Sequence, residues 1–106
     1  MKRRTGILAA LLCVAASSLP AQAQAPTVKI GFITTLSGPA GYLGQDARDG
    51  FMLAVKEGGG KLGGVPVDVM VQDDGLKPIQ GRLTADRFLK DEHVRLFTGT
   101  IFSNVA

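Results

Sequence analysis

The chain has 106 residues, 45% of them apolar and 20% charged, which is enough for one small domain at most. Its formal charge of +3 is carried by Lys2, Arg3 and Arg4, and the other nine Lys and Arg balance nine Asp and Glu. A neutral body without a basic stripe argues against nucleic acid as a partner.

Taken in chain order, the first segment reads as a secretory signal peptide. A basic start (Lys2, Arg3, Arg4) precedes an uncharged apolar run from Gly6 to Ala16. Ser17–Pro20 breaks the run, and Ala21-Gln22-Ala23 places small residues where a signal peptidase cuts. The run falls short of the roughly 20 apolar residues that span a bilayer. Residues 1–23 are therefore expected to be removed on export, leaving 24–106 as the mature domain. Cys13, the only cysteine, would leave with them. The exported part then has no thiol for disulfide, metal or redox chemistry.

Thr27–Thr35 (TVKIGFITT) is nearly all apolar or β-branched and predicts a strand buried on both faces, as in a parallel sheet. A helix is expected over Tyr42–Glu57, with Leu43, Ala47, Phe51, Ala54 and Val55 on one face. Gly50 lies inside it, and close packing on the sheet would account for it. Gly58-Gly59-Gly60 ends the helix. After a Gly63-Gly64 turn, VPVDVMVQDD alternates as a second strand, closed by Asp73-Asp74-Gly75. Pro78 opens a second helix with Gly81, Ala85, Phe88 and Leu89 on a common face. Val94–Gly99 predicts a third strand, and Thr100–Ala106 the start of a third helix. The β-α-β-α-β order implies an α/β fold with a Rossmann-like parallel sheet and right-handed crossovers.

Ligands of open α/β sheets bind at the carboxyl ends of the strands. Three loops reach that edge: Thr35–Tyr42, Asp73–Lys77 and Gly99–Asn104. The first contains Gly38, Gly41 and Gly44, a G-x-x-G-x-x-G spacing that departs from the dinucleotide fingerprint, G-x-G-x-x-G. Asp73 and Asp74 have no third carboxylate at a strand end for a divalent metal. They are expected to cap loop N–H groups instead. His93, the only histidine, falls at the opposite edge from Ser37 and Ser103, so neither serine has a base. No metal and no cofactor is expected. Binding without chemistry remains, with Ser37, Tyr42, Ser103 and Asn104 as the ligand-binding residues. The free N–H groups at the helix starts favour a carboxylate.

The stretch VKIGFITTLSGPAGYLGQDARDGFMLAV, followed by GGKLGGVPVDVMVQDD and FTGTIFSN, resembles the branched-chain amino-acid-binding (Leu/Ile/Val) family of ABC-transporter solute receptors. The resemblance implies a type I periplasmic binding protein, of which this chain is a partial N-terminal lobe. It implies a small-molecule ligand, an amino acid or another organic acid, and a membrane permease as partner. It assigns Ser103 to the ligand's carboxylate or amine and Tyr42 to the cleft lining, with Asn104 beside them. Ile101-Phe102 replaces the Ser/Thr run of amino-acid binders, so the ligand's identity stays open. Two other readings stand beside this one. An exported α/β enzyme would show a Ser-His-acid set downstream, and a sensor ectodomain of the same fold a downstream transmembrane segment.

Overall fold

In the computed structural model, which describes residues 26–106, β1 (Val28–Thr34) forms the centre of the sheet. The expected signal segment and Cys13 lie outside the described residues. β1 pairs in parallel with β3 (Val65–Asp73) on one side and with β4 (Leu96–Thr98) on the other. A two-residue strand, β2 (Lys61–Leu62), adds an antiparallel edge, giving the order β2-β3-β1-β4. The parallel α/β sheet expected from the sequence is present, and the β2–β3 hairpin is an addition to it. Its turn is Gly63-Gly64, with φ of +55° and +80°, values that the tight hairpin turns require.

Alternation along β1 places a helix on each face of the sheet. Phe32 faces α1 (Gly41–Glu57), its ring centroid 5.1 Å from that of Phe51. Ile33 faces α2 (Pro78–Lys90) and packs with Phe88 and Val94 into a core that Met70, Ala85 and Phe97 extend. With both faces covered, β1 is buried from Ile30 to Thr34, which explains its unbroken apolar sequence.

The helix faces agree in part with those the apolar spacing predicts: Val55 and Phe51 of α1, and Gly81, Ala85 and Phe88 of α2, face inward as expected. α1 buries Gly41, Gly44 and Val55, whereas Leu43 is 37% exposed. A Cβ at Gly44 would collide with the carbonyl oxygen of Thr35, and one at Gly41 with that of Leu36. These two glycines let the start of α1 lie directly on the end of β1. Gly50, expected to pack on the sheet, is instead exposed, with nothing within 4 Å of where its Cβ would be. α2 buries Gly81, Thr84 and Phe88, and Leu89 faces solvent at 49% exposure. Thr100–Ala106, expected as the start of a third helix, makes a turn closed by Val105 N–H donating to Phe102 C=O at 3.0 Å. Val105 lies against α2 at Gly81.

Candidate ligand site

Because β1, β3 and β4 run parallel, the segments that follow them emerge at one edge of the sheet. The chain moves from β1 to β3 on one side, then crosses back over β1 to β4 on the other. The strand order therefore reverses at β1, the position at whose carboxyl edge open α/β sheets take their ligands.

The loop after β1 is held by polar groups from β3. Asp73 Oδ1 accepts from the N–H groups of Leu36 and Gly75, both at 2.8 Å. Asp74 is fully buried, and its Oδ1 accepts from Thr35 Oγ1 at 2.6 Å and from Leu76 N–H at 2.8 Å. Gln45 Nε2, from α1, donates to Leu36 C=O at 3.0 Å. The two aspartates thus cap loop N–H groups, as their place before a turn predicts. In addition, they bind the β1–α1 loop to the β3–α2 loop. Among the described residues, Asp74 Oδ2 and Thr34 Oγ1 are buried without a hydrogen-bond partner.

Electrostatics at Asp73 follow from the same contacts. Partial burial, the largest influence, acts to raise its pKa. Hydrogen bonds from the Ser37 side chain and from the N–H groups of Leu36, Gly75 and Ser37 outweigh it and hold the carboxyl below its ordinary range. Asp73 is thereby kept as an anion that organises the loop. Among the described residues no group of three or more His, Cys, Asp or Glu side chains is placed to hold a metal ion.

The sequence-predicted residues fall as follows. Ser37 is exposed in the β1–α1 loop, beside the β3–α2 loop: a Cβ on Gly75 would stand 4.0 Å from Ser37 Oγ. Tyr42, the second residue of α1, is 61% exposed. Ser103 and Asn104 are exposed in the turn after β4. Asn104 alone of the four lines a cavity of about 410 Å³. That cavity lies on the α2 face, floored by Ile33 and Phe97 and walled by Gly81, Arg82 and Val105. It is a gap between α2 and the segment after β4. His93 is exposed in the α2–β4 connection, at the opposite end of the strands from Ser37 and Ser103. Sequence reasoning passed over Leu76, which the loop holds at the carboxyl edge at 41% exposure and φ +59°. The signal that marks it is its place between a turn glycine and Lys77-Pro78.

No curated protein matches the chain. A family profile described as periplasmic binding protein matches residues 27–106. Among solved structures, an ABC transporter substrate-binding protein from Sphaerobacter thermophilus is similar at 32% identity and a TM-score of 0.70, covering 76% of this chain and 22% of that one. A solute-binding protein from R. palustris, in complex with benzoate, gives 29% and 0.69 over the same shares. A possible leucine/isoleucine/valine-binding protein from Rhodopirellula baltica SH 1 gives 29% and 0.67, covering 83% of this chain and 24% of that one. The chain thus spans less than a quarter of the length of these structures, all of them substrate-binding proteins. The profile match runs through every strand and helix described above, and on that ground the chain belongs to the periplasmic binding protein family.

Proposed function

We propose that this chain supplies part of the N-terminal lobe of an exported, periplasmic solute-binding subunit of an ABC importer. Its ligand is a small carboxylate with an apolar body, either a branched-chain amino acid or an aromatic acid. The observation that carries the reading is the reversal of strand order at β1, with the loop bearing Ser37 and Tyr42 and the turn bearing Ser103 both following strands that end at that carboxyl edge. Benzoate in one neighbour and the leucine/isoleucine/valine description of another share a carboxylate on an apolar frame. Ser37 and Ser103 offer neutral hydrogen bonds for the carboxylate or amine, and Tyr42 offers a ring for the apolar part. Closure of a second lobe would remove the ligand from water and present the complex to a membrane permease.

The test is calorimetric titration of the full-length protein with leucine, isoleucine, valine, benzoate and 4-hydroxybenzoate. Micromolar binding of at least one is expected. Ser103→Ala should weaken it by roughly tenfold to a hundredfold, the loss of one hydrogen bond to a charged group. Wild-type protein that binds none of the five overturns the reading, and unchanged affinity in Ser103→Ala removes Ser103 from the site.

A further inference from the structure

The β3–α2 connection turns within four residues, and it does so through two successive left-handed residues, Gly75 (φ +59°) and Leu76 (φ +59°). Glycine adopts this conformation freely. For leucine it is strained, because the Cβ crowds the following carbonyl oxygen. Pro78 contributes to the constraint, since the residue before a proline is driven out of the helical region, and Lys77 is extended at φ −114°, ψ 113°. The strain is held by specific bonds. Asp74 Oδ1 takes the Leu76 N–H, Asp73 Oδ1 takes the Gly75 N–H, and Lys77 N–H donates to Asp74 C=O at 3.0 Å. Both carboxylates are in turn fixed to the β1–α1 loop, through Thr35 and Leu36.

The outcome of this bracing is an apolar side chain held at 41% exposure on the carboxyl edge. The residue before it, Gly75, approaches the Ser37 loop: a Cβ there would stand 4.0 Å from Ser37 Oγ. A glycine at the same position would serve the turn without strain. Strain maintained by a surrounding network is a property of ligand-contacting segments. We propose that Leu76 is a specificity-determining residue that presents an apolar wall to the hydrocarbon part of the bound ligand, with Asp73 and Asp74 as the residues that position it. This rests on the solute-binding reading above and adds the side chain that selects the apolar body.

The test compares Leu76→Gly and Leu76→Met with wild type in the full-length protein. Two measurements are made: thermal unfolding without ligand, and calorimetric titration with leucine, valine, benzoate and 4-hydroxybenzoate. Leu76→Gly should unfold at or above the wild-type temperature, because strain is released, yet bind about tenfold more weakly, because an apolar contact is lost. Leu76→Met keeps the apolar wall and should stay within about threefold of wild type. A residue that merely stabilised the loop would not combine higher stability with lower affinity. The proposal is overturned if Leu76→Gly binds every ligand as wild type does, if it unfolds earlier, or if Leu76→Met loses as much affinity as Leu76→Gly. Wild-type protein that binds none of the four sinks the solute-binding reading itself and this inference with it.

Discussion

Gly44 and Gly50 lie six residues apart in the same helix, and the structure assigns opposite signs to the same substitution at the two. A Cβ at Gly44 would sit deep inside the contact distance of the Thr35 carbonyl oxygen, with Thr34 Oγ1 at 2.9 Å. The colliding atom is backbone of the central strand, so no rotamer change relieves it, and α1 must move off β1. That movement loosens the Phe32–Phe51 contact. Overpacking of this kind costs about 1–3 kcal/mol and a disturbed aromatic pair about 1 more. The better helix propensity of alanine returns about 1 kcal/mol. Gly44→Ala should therefore lose about 1–3 kcal/mol. Nothing stands within 4 Å of a Cβ at Gly50, so Gly50→Ala collects the propensity alone and should gain about 0.5–1 kcal/mol. In a domain of this size the two shifts amount to a melting temperature roughly 5–20 °C lower and a few degrees higher, respectively. Far-UV circular dichroism during thermal and urea unfolding of the mature chain measures both. Equal signs for the two variants would refute the close approach of α1 to β1 on which the site geometry depends.

Asp73 makes stability depend on pH. Its pKa is lowered in the folded state, so below about pH 4 the unfolded chain binds more protons than the folded one. Stability from this group is present above the unfolded-state pKa and is lost as pH falls through the folded value. Urea midpoints from pH 2.5 to 6 should fall more steeply on acidification for wild type than for Asp73→Asn; parallel curves would contradict the loop contacts. A second expectation concerns the chain alone, without a second lobe. A ligand touching only Tyr42, Ser103 and loop amides stays largely wet, and hydrogen bonds that compete with water return little net energy. Dissociation constants of about a millimolar or weaker are expected for leucine and benzoate, by calorimetry or NMR shifts. Micromolar binding by the monomeric chain would show that one lobe suffices.

How far the fold could be read from the sequence depended on which residue types carried the signal. β1 announced itself because a strand buried on both faces has no polar alternate residue, and VKIGFIT has one charge in seven positions. Helix extents were equally legible, since Gly58-Gly59-Gly60 and Pro78 punctuate them chemically. Their buried faces were legible in part: Val55, Gly81 and Phe88 are buried as expected, whereas Leu43 and Leu89 face solvent, because apolar periodicity gives weight to large side chains wherever they stand. α1 meets the sheet along Gly41, Gly44 and Val55, and α2 along Gly81, Thr84 and Phe88. In α1 the approach to the end of β1 belongs to Gly41 and Gly44, so the contact line is offset from Leu43. The same reasoning explains what was missed at the site. Ser37, Tyr42 and Ser103 are candidates because ligand-edge loops display polar groups. Leu76 was passed over because its distinguishing property, a positive φ, belongs to the backbone and to the partners that enforce it. Asp74 reaches Thr35 across 39 positions of sequence, and such a pairing exists only once β1 and β3 are in register. The opening glycines follow this logic as well. Gly41 and Gly44 remove side chains so that α1 can rest on the carbonyls of Leu36 and Thr35. Their spacing thus encodes a helix-to-strand distance, and any ligand is read by the side chains which that distance brings to the edge.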